Sequence, residues 1–254
     1  MSEFDSAAEG YDLEFTKTCV GQAQREQVYR ALKADGLDTN QSVLEINCGT
    51  GEDALQFHNW GNTILATDFS VDMLEVARKK FPEGEFAQLD MKNIGTLENQ
   101  YSLIFSNFGG INCLSPEEFA QFLSDSSTRL STNGHLVLVI MGKKCWWDNF
   151  YLLLKGKWSK LRRRNTTVPL EVNVGGTLVK TWYYSPKEVK RMLGENYQVR
   201  RLKPIGLYVP PSYIAPFFEK KGFLLSLLKF KDRFVRLPMF SNFSDHYYIS
   251  LTKK

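Results

Sequence analysis

Two glycines, Gly49 and Gly51, follow the short apolar run "SVLEIN" (42–47), which carries a single carboxylate, Glu45. A glycine turn between a strand and a helix removes side chains where a ligand has to reach backbone amides. Three further polar residues hold equivalent places downstream: Asp68 ends "TILATD", Asp90 ends "GEFAQLD" and Asn107 ends "YSLIFSN". A carboxylate at the position of Asp68 can accept both hydroxyls of a ribose. Near the C-terminus Asp245 and His246 are adjacent, an acid that can orient and an imidazole that can act as a general base. The spacing Gly49-x-Gly51-x-x-Ala54 also partly satisfies the dinucleotide fingerprint, so a nicotinamide or flavin enzyme has to be weighed.

The elements that position these residues alternate. "SVLEIN", "TILATD", "GEFAQLD", "YSLIFSN" and "HLVLVIM" (135–141) read as strands. Between them "EDALQFHN", "SVDMLEVARKKF" capped by Ser70, and "SPEEFAQFLSDSSTRL" entered through Ser115 and Pro116 read as helices, and "QREQVYRALKAD" (24–35) precedes them. Strand and helix in turn imply a doubly wound α/β fold with a parallel sheet, whose ligands sit beyond the carboxyl ends of the strands. All four polar strand ends then face one crevice.

After Gly142 the pattern changes. "CWWDNFYLLLKGKWSKLRRR" (145–164) is aromatic and basic at helical spacing, and "PLEVNVGGTLVKTWYY" (169–184) is a hairpin turning at Gly175-Gly176. "YQVRRLKPIGLYV" (197–209) offers a sixth strand and "DHYYISLTK" (245–253) a seventh, with a long aromatic and basic stretch, 210–240, between them. The chain is therefore expected to divide into a cofactor-binding core, 1–142, and substrate-side insertions with the last two strands, 143–254.

Charge divides at the same place. Residues 1–142 hold 9 Lys and Arg against 21 Asp and Glu, and residues 143–254 hold 23 against 7, balances of −12 and +16. The acidic half suits a cationic small ligand, and the basic half suits phosphates, an anionic lipid surface or an acidic substrate. Arg162, Arg163 and Arg164 are the densest cationic run and are expected to serve such a partner. The N-terminus lacks the order of a secretory signal and no apolar run is long enough for a membrane span, which predicts a cytoplasmic protein. Cys19, Cys48, Cys113 and Cys145 are far apart without a C-x-x-C pair, so neither a metal site nor a disulfide framework is expected.

With these residues and this order of elements, the chain resembles the class I S-adenosylmethionine-dependent methyltransferases, well over about residues 4–142 and loosely to the C-terminus. The resemblance implies a Rossmann-like sheet of seven strands with the last antiparallel, an insertion between strands five and seven, and S-adenosylmethionine as cofactor. It implies that Glu45 lies near the methionine amino group, that Asn47, Gly49 and Gly51 pass under the cofactor, and that Asp68 holds the ribose. It further implies that Phe69, Met73, Asp90 and Met91 border the adenine, that Asn107 and Phe108 line the methionine side, and that Tyr11, in "AEGYDLEFT", folds over the cofactor. The family usually has glycine where this chain has Asn47, a residue that tolerates unusual dihedrals better than most. A sulfonium and an ammonium group suit Glu45 and the acidic half, whereas a carboxylate so close to the loop would repel a pyrophosphate.

The acceptor is less defined. Enzymes that methylate base amines or glutamine often carry Asn/Asp-Pro-Pro-aromatic after the fourth strand, and "SNFGGINCL" (106–114) departs from that. The expected acceptor is an oxygen or nitrogen of a lipophilic or aromatic small molecule, with contact at an anionic membrane surface suggested by the basic amphipathic segments 145–164 and 212–236. RNA methylation, or a cofactor-binding scaffold without catalysis, are the alternatives. Trp146, Trp147, Phe150, Tyr151, Trp182, Tyr183, Tyr208, Tyr213, Phe217 and Phe218 are candidate walls, although aromatic residues of this kind more often form core. Of the histidines, His135 begins the fifth strand away from the crevice and His58 lies in a helix; an antiparallel last strand, as in the resembling family, brings Asp245 and His246 to the crevice end.

Overall fold

Among the described residues nine runs form strands, and seven of them join one sheet. The computed structural model describes residues 8–174 and 176–254. The sheet has the order β3-β2-β1-β4-β5-β9-β8, built from β1 (Ser42–Ile46), β2 (Thr63–Asp68), β3 (Glu85–Gln88), β4 (Tyr101–Ser106), β5 (Leu130–Met141), β8 (Tyr197–Ile205) and β9 (His246–Lys253). β1 to β5 pair in parallel, and β9 runs antiparallel between β5 and β8, so the sheet reverses direction at its last strand alone. Strand order changes direction between β1 and β4, which opens a crevice beyond their carboxyl ends.

Helices cover both faces, and local chemistry sets their ends. In α2 (Cys19–Asp35), Thr18 accepts the Gly21 amide at the start and Gly36 closes the end at φ 69°. In α4 (Val71–Lys80), Ser70 caps the Met73 amide. Ser115 with Glu118 and Ser185 with Glu188 form capping boxes, each followed by proline, for α5 (Pro116–Arg129) and α7 (Pro186–Met192). The buried strand faces pack beneath them: Leu44, Ile104, Leu138 and Ile249 lie on one side of the sheet, and Val43, Phe105, Val137 and Tyr248 on the other.

The second half departs from its sequence expectation in one place. The run 145–164 is not one basic helix: α6 (Trp146–Leu154) ends at Lys155, Gly156 turns the chain at φ 65°, and a short turn over Trp158–Lys160 leads to Arg162 at φ 58°. A glycine and a left-handed residue inside the run break the period that its aromatic spacing implies. The hairpin is present as β6 (Leu170–Val174) and β7 (Thr177–Thr181), with Gly176 at φ 91°; Gly175 lies outside the described residues. The stretch before β9 folds into α8 (Ala215–Phe218) and α9 (Gly222–Phe234). Segments 142–196 and 206–245 both leave or enter the sheet at its crevice end.

Candidate cofactor and acceptor site

The glycine loop passes from β1 into α3 (Glu52–Asn59). Asn47, Gly49 and Gly51 all adopt left-handed backbone, at φ 59°, 53° and 75°. Asparagine at 47 thus takes the conformation a glycine would take, and its amide reaches Met91 Sδ at 3.3 Å and Ser106 Oγ at 3.4 Å. A side chain added at Gly51 would meet Ala77 and Phe86, whereas one added at Gly49 would enter open space. Packing demands glycine at 51; at 49 the missing side chain leaves backbone facing the crevice.

Asp68 braces this loop. Its Oδ2 accepts the Gly49 amide and its Oδ1 the Ser70 amide, both at 2.9 Å. Asp90 accepts the Lys92 amide, and Met91 is buried behind Asn47. Phe69 is half exposed and Met73 is buried with Ala8, beside Tyr11 and Val174. The N-terminal segment is pinned onto the loop: Asp12 accepts the Thr50 hydroxyl at 2.6 Å and pairs with Lys80 at 2.7 Å. Tyr11 is held inside, and burial pushes its phenol up to about 12. Crevice walls therefore include Tyr11, Thr16, Arg25, Asn47, Gly49, Asn107 and Phe108.

Glu45 stands beneath them at 1% exposure. Its Oε2 is buried without a hydrogen-bond partner. Burial, then the negative field of Asp53, raise its carboxyl well above the usual range; Arg25 offsets this only in part and Asp68 adds to it. Asp53 is fully engaged, paired with Arg25 and accepting from Tyr29 at 2.7 Å and from Asn107 Nδ2 at 2.9 Å. An orphaned buried carboxyl oxygen in the negative field of Asp53 and Asp68 is what a ligand ammonium group fits.

On the far side of Phe108, at φ 42°, lies the second pair. The Phe108 and His246 rings meet edge to face at 5.3 Å, and His246 Nδ1 is 3.2 Å from Asp245 Oδ2. Asp245 also accepts from Gln24 Nε2 at 3.2 Å and pairs with Arg164 at 2.9 Å. Burial alone would raise this carboxyl, but His246 and the Arg164 guanidinium outweigh it and hold it well below the usual carboxylate range. His135 lies at the opposite end of β5 against Arg200, and His58 packs on the Phe81 ring.

Arg164 corrects the expectation for the arginine run. It is 5% exposed, tied to Asp245 and lying over the Tyr183 ring, while Arg163 pairs with Asp148 at 2.6 Å. These two charges are structural, since the buried acids Asp148 of α6 and Asp245 just before β9 need counter-ions. Several candidate wall aromatics are core as well: Trp147 and Phe218 pack with Val20 and Ala23, and Trp182 against the main core. Phe150 and Phe217 stay exposed.

The residues that sequence reading missed lie mostly on α2. Gln24 holds Asp245 and the Pro210 carbonyl, Gln27 holds Asp232 and the Gly206 amide, and Arg25 and Tyr29 hold Asp53. In sequence they resemble the solvated face of an amphipathic helix. Asn112 was also missed: it donates to the Trp182 carbonyl at 2.5 Å and accepts the Met141 amide at 2.9 Å, locking the hairpin to the end of β5. From there β6 reaches Met73 through Val174, so the hairpin bridges the crevice mouth.

This sheet, with its reversed last strand and glycine loop beyond β1, is the class I S-adenosylmethionine-dependent methyltransferase fold. Residues 43–134 match the family model described as a methyltransferase domain. A demethylmenaquinone methyltransferase of Paenarthrobacter aurescens is 29% identical over 117 residues, 45% of each chain. A malonyl-[acyl-carrier protein] O-methyltransferase of Hamiltonella defensa is 30% identical over 106 residues, 42% of this chain and 39% of that protein. The chain thus spans less than half the length of these relatives. Among solved structures, magnesium protoporphyrin IX methyltransferase from Synechocystis with bound S-adenosylhomocysteine superposes at TM-score 0.59 and 14% identity, covering 92% of this chain and 84% of that one. A glycopeptide N-methyltransferase with the same ligand gives 0.56 and 14%, covering 94% and 92%. At such identity the structural likeness concerns the fold.

Proposed function

We propose that this protein is an S-adenosylmethionine-dependent methyltransferase acting on an oxygen or nitrogen of a lipophilic or aromatic small molecule. The observation that carries the cofactor assignment is the orphaned, buried Glu45 Oε2 near the end of β1, the strand that leads into the left-handed Asn47–Gly51 loop. S-adenosylmethionine, when bound, supplies an electrophilic methyl group on a sulfonium, and a cation is what this acidic pocket suits. Glu45 receives the ammonium group, and the Asn47–Gly51 loop lies under the cofactor. Asp68, at the end of β2 and bound to the Gly49 and Ser70 amides, takes the ribose hydroxyls. Phe69, Met73, Asp90 and Met91 border the adenine, Asn107 and Phe108 the methionine side, and Tyr11 closes over both and excludes water.

Residues 143–254 form the acceptor side, in this division of labour, against the cofactor side of 1–142. His246 is the proposed general base: its Nδ1 is buried 3.2 Å from Asp245 Oδ2 without a hydrogen bond, and Nε2 is the ring atom left to take a proton from the acceptor. Asp245 and Arg164 position it. The small-molecule class is supported by the first relative, whose name gives demethylmenaquinone as its substrate; the second is named for a malonyl group held on an acyl-carrier protein. Four free cysteines support a reducing compartment such as the cytoplasm.

Calorimetry with S-adenosylmethionine and S-adenosylhomocysteine tests the cofactor, and labelled cofactor incubated with cell extracts followed by mass spectrometry tests the acceptor. Binding is expected for both nucleosides, weakened by about 1.5–3 kcal/mol in Asp68→Ala through loss of charge-assisted hydrogen bonds. Tight NAD binding in their place, or label entering RNA alone, would overturn the assignment.

A further inference from the structure

α9 has two apolar faces and the fold uses only one. Leu225 and Leu228 turn inward against Trp147 and Phe218, and the buried Asp232 accepts the Tyr208 and Val209 amides at 2.9 and 2.8 Å. Phe223, Leu227, Phe230 and Phe234, spaced by four, three and four residues, form a second stripe on the opposite side. All four are exposed, Phe223 at 88%. Leu237 and Phe240 line a shallow groove with Phe230 and Phe234, which extends the stripe beyond the helix. An exposed apolar surface of this extent marks an interaction face.

The charges around it identify the partner. Residues 220–236 hold six cations, Lys220, Lys221, Lys229, Lys231, Arg233 and Arg236, and one acid, the inward Asp232. Lys229 answers Glu26 of α2 at 2.8 Å, and Lys221 stands 3.9 Å over the Phe217 ring. A second copy would bring like charge against like charge. A bilayer bearing anionic headgroups meets both demands at once, with apolar side chains entering the acyl boundary and lysines lying at the phosphates.

We infer that the α9 stripe with its lysine rim is a docking face for an anionic lipid bilayer. The arginine run 162–164 is not part of it, since Arg163 and Arg164 are paired with acids. The face lies at the crevice end of the sheet, because α9 lies in the connection between the end of β8 and His246 at the start of β9. Docking there lets a membrane-dissolved acceptor approach the site without crossing water, a refinement that rests on the methyltransferase reading; the docking itself does not.

The test is co-sedimentation of the full chain with phosphatidylcholine vesicles, with and without phosphatidylglycerol. Binding is expected to the anionic vesicles only, and to be lost at about 0.5 M salt. The double variant Phe223→Ser/Phe230→Ser and the triple variant Lys220→Gln/Lys221→Gln/Lys231→Gln should each weaken partitioning about tenfold or more. S-adenosylmethionine affinity, read by calorimetry, should stay within about twofold in both, because neither set touches the crevice. No partitioning of the wild type, or equal partitioning of both variants, overturns the inference. So does a dimer that the double variant dissolves, or single-stranded RNA displacing the protein from vesicles. Vesicle binding without any cofactor binding would leave docking standing and remove the methyltransferase reading.

Discussion

Glu45 and Asp245 are both buried acids at the crevice end of one sheet, and their surroundings push them in opposite directions. Glu45 has an oxygen with no partner, and burial together with Asp53 raises its carboxyl. Asp245 is also opposed by burial, yet His246, Arg164 and Gln24 hold it ionised. An acid whose partners are all protein groups positions something; an acid lacking one is waiting for a ligand. The two halves of the chain differ in the same way. The acidic half leaves a buried acid without a partner in the crevice, while the basic half has committed Arg163 and Arg164 to acid partners and keeps Lys220, Lys221 and Lys231 exposed at the α9 rim.

The comparison breaks most easily at Arg164. Arg164→Gln leaves Asp245 and Asp148 short of a buried counter-charge and should lower stability by about 3–5 kcal/mol, seen as a drop in the denaturant midpoint. A variant as stable as the wild type would mean that the arginine run is a surface feature after all.

Glu45→Gln is the converse. It should weaken S-adenosylmethionine binding by about 2–5 kcal/mol by removing the partner of a buried cation, while the ligand-free protein at pH 7–8 melts at the same or a higher temperature. The sign follows from linkage. A carboxyl raised in the folded state contributes stability that is fully present below its unfolded value and is lost as pH rises through the folded one, so the gain in the variant should shrink toward about pH 4. Asp245 acts oppositely: its contribution is present above its unfolded value, about 3.9, and is lost as pH falls toward the depressed folded one. Cofactor binding should also release a proton from Glu45, visible as a buffer-dependent calorimetric enthalpy, and the affinity should fall with falling pH. Proton uptake on binding would contradict the contrast between the two acids.

The smallest expected effect separates chemistry from structure. His246→Asn should slow methyl transfer by about a hundredfold while leaving cofactor affinity within about twofold, the share expected of a general base. If turnover persists and only the melting temperature falls, His246 belongs with Asp245 as scaffold, and catalysis relies on alignment.

Some of this was legible in the chain. Period-two and period-3.6 runs with Ser-Pro caps define the alternation of strands and helices, and with it the crevice where Glu45, Gly49, Asp68 and Asn107 meet. Asn47 was the uncertain letter, and its left-handed backbone follows from a property of asparagine that operates locally. The hairpin was readable for the same reason, because its turn chemistry is local.

What only the tertiary structure decided are the pairings across long separations. Gln24 is 221 residues from Asp245, Arg164 is 81 from it, and Asn112 is 70 from Trp182. An isolated arginine in a basic run, or a glutamine on an amphipathic helix, looks the same whether it meets water or a buried acid; which it meets depends on how α2 and the segment after α6 pack against the start of β9. That packing turned Arg164 inward and left the aromatic stripe of α9 outside. It is a sum of many weak contacts brought together by the fold, and no short stretch of sequence encodes it.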